Sequence, residues 1–239
     1  MRLSRFSSIF ALLGMLLAML LNSCTTDMKK SYSNMVDKDY DVEDFTRIKF
    51  EGAYNVKLIQ GDKPSVVMST TPQLQDKVRI RVEDGELHIK SKISNLGSDE
   101  IKLYITVKDL QNIDIEGGVY LSSPEYLNLK NLNIDVAGSA FINMKINAEE
   151  IRAKASGGVN MEFDGKTDRF YAVTEGAGNI DADHLESKEV ECRVSGVGNA
   201  SVFATEKLKA TVEGVGKIGY RGDPEINKQV SGIGMVYRK

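Results

Sequence analysis

The chain of 239 residues contains no tryptophan, few aromatic residues (7%) and only 4 prolines, whereas it has 21 glycines. Helical bundles avoid glycine in their helices and build their cores from large side chains, so this composition disfavours a bundle. The 31 basic and 34 acidic residues nearly cancel. The net charge of -3 gives no electrostatic reason to expect nucleic acid as a partner. We therefore expect an all-β protein with many tight bends.

The first residues have the features of a bacterial export signal. Arg2 and Arg5 precede Ile9–Leu21, an almost unbroken apolar run that is too short to span a bilayer comfortably. The run ends in the tetrapeptide LNSC, which resembles the lipobox of bacterial lipoproteins, where the cysteine is acylated. We predict a lipoprotein signal peptide over residues 1–23 and lipidation of Cys24. An ordinary signal peptide followed by an incidental cysteine is the alternative.

Residues 24–43 are polar and charged, and they show no periodicity that would bury one face. They therefore predict a flexible tether between the lipid and a β domain over residues 44–239. Acyl chains on one residue hold a protein stably at a membrane. We expect a lipid-anchored protein of the cell envelope, located at the outer membrane. The sequence is compatible with either side of that membrane, the periplasmic or the exterior one.

Scarce cysteine and histidine limit the chemistry further, since the chain has two of each. Acylation of Cys24 would leave Cys192 as the one thiol, so no intramolecular disulfide is expected. Cys192 lies in an apolar position and is predicted to be an inert core residue. His88 has no partner at ligand spacing. We therefore predict neither a metal site nor a cofactor.

Residues 44–110 consist of short runs in which apolar and polar side chains alternate, which is the pattern of β-strands. The runs are separated by turn residues, and Asp84-Gly85 is a strong hairpin signal. This part of the domain is expected to hold antiparallel strands and a hairpin.

One short phrase with a central glycine recurs seven times in residues 111–239. The glycines are Gly117, Gly138, Gly157, Gly176, Gly196, Gly214 and Gly232, with spacings of 21, 19, 19, 20, 18 and 18 residues. A period near twenty is too short for helical repeats and suits one coil of a solenoid. The sequence predicts a right-handed, parallel β-helix-like solenoid.

Aligning the repeats on these glycines gives columns, each holding the same position of successive coils. Three columns are apolar or small, and we predict that they point inward; the glycine column is expected to lie at a close backbone approach. The column one residue before the first of the inward columns given below, with Arg193 and Thr211, is expected to face solvent. The inward columns are Ile115, Val136, Ala155, Thr174, Val194, Val212 and Val230; Leu121, Ile142, Met161, Ile180, Ala200, Ile218 and Val236; and Leu132, Ile151, Phe170, Val190, Leu208 and Ile226.

Asn160, Asn179 and Asn199 occupy one outward column in consecutive repeats. Such side chains stack roughly 4.8 Å apart and can hydrogen-bond along the solenoid as a ladder. We interpret the ladder as structural, with ligand binding as the alternative.

The sequence over about residues 44–239 resembles the head GIN domain family, a domain family of unknown function found in Bacteroidetes envelopes and labelled as adhesins. The resemblance rests on Phe50–Val56 (FEGAYNV), Gln60-Gly61-Asp62, the hairpin of Val82–Ile89 (VEDGELHI) and the closing glycine repeats. It implies a β-helix-like domain on an exported lipoprotein. No binding residue can be transferred from it.

The function expected from these features is a non-catalytic binding module for an extended protein or glycan. A β-helix polysaccharide lyase or glycoside hydrolase is the alternative, because Asp114 and Asp135 share one column beside Glu116. No arginine or lysine column is expected to accompany these carboxylates. A calcium-binding nonapeptide solenoid is rejected, because apolar residues occupy the column that would supply its aspartates.

Overall fold

The computed structural model describes residues 35–93 and 99–239, so the predicted signal peptide and Cys24 lie outside the described residues. The described residues contain fifteen strands and one short helix. These are β1 (Val36–Tyr40), β2 (Arg47–Gln60), β3 (Ser65–Thr70), α1 (Pro72–Gln75), β4 (Val78–Glu83), β5 (Glu86–Ser91), β6 (Lys102–Val107), β7 (Asn112–Asn128), β8 (Asn131–Val136), β9 (Ser139–Ala155), β10 (Gly158–Thr174), β11 (Ala177–Val194), β12 (Val197–Val212), β13 (Val215–Arg221), β14 (Glu225–Val230) and β15 (Ile233–Arg238).

The strands from β7 onward stack as parallel coils. β10 pairs in parallel with β9 on one side and with β11 on the other, and β12 continues the stack toward β13, β14 and β15. The pairing follows the repeat alignment, so that Ala172 lies beside Cys192 and Thr174 beside Val194. The predicted all-β solenoid is confirmed, with about seven turns and a mixed sheet.

The part before the repeats is antiparallel only in places. β3 pairs antiparallel with β6, and β4 with β5, whose Asp84-Gly85 turn has both residues at positive φ. This confirms the hairpin. β2, however, runs parallel to β7 and places Gly52 beside Gly117, so the solenoid begins before the seven repeats.

β1 lies inside the segment that the sequence assigned to the tether. It pairs antiparallel with β3, from Val36 opposite Thr70 to Tyr40 opposite Val66. Its side chains are almost all exposed, so backbone pairing rather than a buried face holds it in place. The β domain therefore extends at least to Val36, and a tether reaching residue 43 is wrong at this end.

The predicted inward columns form the core. Their members are buried from the first repeat to Ile218, and Cys192 is only 1% exposed. Val230 and Ile226 of the last coil are 44% and 37% exposed, because no described coil covers them. Thr211, expected to face solvent, is 5% exposed. This short side chain lies in its column between the longer Arg193 and Gln229, and that outward prediction is wrong.

Close backbone approach explains the glycine column. A Cβ atom on Gly138 would lie 2.1 Å from the carbonyl oxygen of Gly117, and one on Gly157 would lie 1.6 Å from that of Gly138. No side chain fits at these distances. Each coil can stack on the previous one only because this position carries hydrogen alone.

Candidate functional site

The outward side chains of the strand segments that follow each glycine form what we call the amide face. It includes the predicted ladder: Asn160 is paired in register with Asn179, which is paired with Asn199. Asn199 Nδ2 donates a hydrogen bond of 3.1 Å to Asn179 Oδ1. Within the seven repeats, the same column begins with Tyr120 and Phe141, whose rings stack in parallel with centroids 5.0 Å apart.

The two columns of the amide face nearest the glycine carry little charge. The column directly after the glycine consists of small or apolar exposed residues, of which Val197 and Val215 are 60% and 47% exposed. The second column is the one that holds the asparagines. From the first repeat to the last, Lys217 in the asparagine column is the one charged residue of these two columns. Contact with a partner would therefore remove few charged groups from water.

The outward side chains of the segments that precede each glycine form what we call the ionic face. Neighbouring coils are joined there by ion pairs, such as Arg169 to Glu150 at 2.8 Å and Lys207 to Glu189 at 2.8 Å. The hydrogen bond from Arg169 is the main cause that lowers the pKa of Glu150, and the one from Lys207 lowers the pKa of Glu189. The charges of this face are largely satisfied within the protein.

The predicted acidic cluster lies on the ionic face, in a depression of about 460 Å³. Asp114 and Asp135 are paired in register, and burial, followed by the charge of Asp135, raises the pKa of Asp114. Lys49 and Lys154 continue the same column on either side, so the two carboxylates lie between single lysines rather than beside a basic column. Lys49 belongs to β2, far from the repeats in sequence.

The two lysines already have partners. Lys49 Nζ lies 2.8 Å from Glu116 Oε1, and Lys154 Nζ lies 3.2 Å from Glu175 Oε1. The hydrogen bond to Glu116 raises the pKa of Lys49, which keeps the amine protonated. Neither amine is arranged as a neutral base for proton abstraction.

A cleft that the sequence did not predict crosses the corner between the two faces. It has a volume of about 940 Å³ and is lined by residues including Tyr126, Asn147, Gly165 and Arg221. We call it the corner cleft. Two local insertions border it, one where the register of β7 against β9 shifts after Ser123, and one where that of β11 against β12 shifts after Ala182.

The unequal spacings of the repeats indicate where this cleft lies. The repeats that begin at Gly117 and Gly176 are 21 and 20 residues long, whereas the other four intervals are 18 or 19. These two longer coils carry the insertions at residues 124–126 and 183–185. Unequal coil lengths therefore mark where the corner protrudes.

Among the described residues, Cys192 is a buried free cysteine, and burial raises its pKa to about 12. The same residues contain no group of three or more histidine, cysteine or acidic side chains that could hold a metal ion. In the described part of the chain, no helix is long and apolar enough to cross a membrane.

Residues 44–224 match the model of a family described as "Putative auto-transporter adhesin, head GIN domain". The chain belongs to this family. The match covers β2 to β13 and confirms the resemblance found in the sequence. No curated protein matches this head GIN domain protein.

Solved structures show the same fold. A putative adhesin from Bacteroides fragilis superposes with a TM-score of 0.81 at 24% identity, covering 86% of this chain and 97% of that one. A putative adhesin from Parabacteroides distasonis gives 0.66 at 23%, covering 87% and 98%. A putative lipid binding protein from the same species gives 0.61 at 26%, covering 87% and 98%. These similarities are evidence for the shared solenoid.

Proposed function

We propose that this head GIN domain protein is a lipid-anchored binding module of the cell envelope that holds an extended glycan or protein partner without catalysing a reaction on it. The observation that carries the proposal is the in-register stacking of the coils, which repeats each outward position at the strand spacing of roughly 4.8 Å. A partner that is itself extended can make the same contact several times along such a surface.

The amide face and the corner cleft suit this role better than the ionic face does. On the ionic face, a partner would have to replace ion pairs that the protein already forms, and the desolvation would offset much of the gain. The amide face carries few charges in its two columns nearest the glycine, and the corner cleft is concave. These two regions are the candidate contact surfaces.

The test of binding uses the full chain on an array of oligosaccharides and peptides, with product analysis of every ligand retained. Saturable binding without new products is expected. Release of cleaved products from any ligand would contradict the non-catalytic proposal, and the absence of binding to every glycan and peptide would contradict the binding module itself.

A lyase or glycoside hydrolase at Asp114 and Asp135 is the alternative that the same experiment addresses. The raised pKa of Asp114 favours it, since a general acid must hold a proton. The ion-paired Lys49 and Lys154 argue against it. If product release occurs and Asp114→Asn with Asp135→Asn abolishes it, the enzyme replaces our proposal.

Lipid anchoring is tested separately, because Cys24 lies outside the described residues. The Cys24→Ala variant is expected to move from the membrane fraction to the soluble fraction of expressing cells. A Cys192→Ala variant serves as the control and should stay with the membranes. Retention of the Cys24→Ala protein after carbonate washing would contradict acylation at this residue.

A further inference from the structure

We propose that the corner cleft is an oligosaccharide-binding site selective for neutral or amino-substituted sugars over acidic ones. This inference rests on the proposed binding function and names its ligand class and its site. The cleft volume of about 940 Å³ is within the range of roughly 300–1,000 Å³ typical of ligand sites.

Tyr126 provides an aromatic surface at the border of the cleft. It lies in the insertion after Ser123 and is 45% exposed, although its hydroxyl is fixed by a hydrogen bond of 3.1 Å to Asp164 Oδ1. That hydrogen bond raises the pKa of Tyr126 and keeps the phenol protonated. A fixed and partly exposed ring is suited to packing against the C–H face of a pyranose.

Planar polar groups lie along the same cleft. Asn147 Nδ2 donates to Asn128 Oδ1 at 3.1 Å, and the backbone of Asn128 is held in both directions by the Gln60 side chain, at 2.8 and 2.9 Å. These contacts fix amide groups that offer both donors and acceptors. Adjacent hydroxyls of a sugar need this combination, and pre-organised groups lose little entropy on binding.

The charge of the cleft sets its selectivity. Its lining has five carboxylates and three cationic side chains of lysine and arginine. Lys166 pairs with Glu186 at 3.6 Å, Lys188 with Asp168 at 2.7 Å, and Asp183 with Lys239. Arg221 donates to the backbone carbonyl oxygen of Asp183 and forms no ion pair with the described carboxylates. Among the residues that the structure describes, the lining residues Glu149 and Asp164 form no ion pair. The resulting negative potential repels uronic acids and sulfated sugars and attracts amino sugars.

An extended peptide is a poorer occupant of this cleft. Peptides that add to a sheet need an unpaired strand edge. The coil of Gly165 and Lys166 is instead paired on both sides, with Ile146 and Asn147 in one neighbour and Leu185 and Glu186 in the other. The cleft therefore offers side chains rather than backbone edges, and a peptide would have to bind without strand addition.

The test measures binding of the full chain to an array of neutral, N-acetylated, amino-substituted and uronic-acid oligosaccharides, followed by titration of the best-bound sugar. Neutral or amino sugars are expected among the bound ligands, and uronic acids are not. Tyr126→Ala should weaken the affinity about tenfold, whereas Tyr126→Phe, which keeps the ring, should stay within about threefold. Asp164→Asn should reduce the preference for amino over neutral sugars.

Tyr104→Ala is the matched control, because Tyr104 is similarly exposed at 41% but lies on β6, before the repeats, and does not line the corner cleft. It should leave oligosaccharide affinity unchanged, and melting curves should show that all variants fold. If Tyr120→Ala on the amide face weakens binding and Tyr126→Ala does not, the amide face is the contact surface and the inference is wrong while the binding module stands. Preferential binding of uronic acids, or of peptides alone, would also overturn the inference. Absence of all binding would overturn the proposed function as well.

Discussion

The ionic face and the amide face are formed by the same backbone repeat, yet different side-chain contacts join their neighbouring coils. On the ionic face, cross-coil pairs such as Lys209 with Glu191 at 2.8 Å satisfy charge with charge. On the amide face, uncharged side chains contact each other between coils: asparagines hydrogen-bond and aromatic rings stack, as in the Tyr120–Phe141 pair. The glycine column separates the two chemistries within each coil.

This difference shows which part of the surface is available for a partner. Exposed ion pairs add little stability, but they fix charges that any partner must displace. Small and apolar columns impose no such cost. The corner between the faces is the place where coil length varies, and variation in length can create a cleft without disturbing the inward columns.

The same substitution on either side of the glycine column should give the largest contrast. Val194 is 1% exposed and Val197 is 60% exposed, only three residues later. Burying a carboxylate without a partner costs several kcal/mol, so Val194→Asp should abolish cooperative unfolding or lower the melting temperature steeply. Val197→Asp should change the free energy of unfolding by about 0.5 kcal/mol or less.

Thermal melts followed by circular dichroism compare the two aspartate variants. Similar losses at Val194 and Val197 would mean that the inward and outward columns are assigned incorrectly. Because each coil is stacked on the next, the damage at Val194 should spread to neighbouring repeats, which hydrogen exchange would detect as faster exchange on both sides.

A second test compares neighbouring glycines at the boundary between the faces. A Cβ on Gly157 would lie 1.6 Å from the carbonyl oxygen of Gly138, whereas a Cβ on Gly158 would meet its nearest atom at 3.7 Å. Gly157→Ala should therefore cost about 3 kcal/mol, because backbone must move apart. Gly158→Ala should stay within about 0.5 kcal/mol of the parent.

Urea unfolding of the two alanine variants gives both free energies. An equal effect at Gly157 and Gly158 would show that glycine is needed for something other than close stacking. A larger effect at Gly158 would contradict the close backbone stacking at the glycine column.

Much of this solenoid could be predicted from sequence because each coil repeats the same local pattern. Val136 and Leu121 could be placed inward from their distance to a glycine alone. Gly52 could not be assigned to the glycine column in the same way, since β3 to β6 separate it from Gly117. Side-chain periodicity also missed β1, because that strand is held by backbone pairing and buries almost nothing.

The candidate sites were harder to predict than the core. Asp114 and Asp135 were found because they share a column, but Lys49 entered that column from outside the repeats. The corner cleft depends on insertions in β7 and β11, two coils that are separated by β9 and β10. A position in an alignment does not specify that arrangement, although the unequal spacings indicate where it occurs.

The pH dependence of stability should have opposite signs for two carboxylates of the ionic face, Glu150 and Asp114. The pKa of Glu150 is lowered, first by its hydrogen bond with Arg169, so its stabilisation is present above the unfolded pKa and is lost as pH falls through the folded pKa. Glu150→Gln should cost about 1 kcal/mol at pH 7 and flatten the acid limb of the stability curve.

Asp114 should behave in the opposite way. Burial raises its pKa, so the folded state binds its proton more tightly and stability rises as pH falls through the folded pKa. Asp114→Asn should leave the melting temperature at pH 7 unchanged or higher. Melting curves from pH 3 to pH 7 compare the two variants, and a loss at pH 7 for Asp114→Asn as large as for Glu150→Gln would refute the assigned signs.

The smallest effect is expected in the asparagine ladder of the amide face. Asn179 accepts the hydrogen bond from Asn199 at 3.1 Å, and both side chains are exposed. Water can replace such a bond, so Asn179→Ala should cost only about 0.5–1 kcal/mol. Lys217→Ala, in the same column but outside the asparagine run, is the matched control and should cost less. If the ladder is structural, Asn179→Ala lowers stability slightly and leaves ligand affinity unchanged; a loss of affinity without a loss of stability would instead make the ladder part of the contact surface.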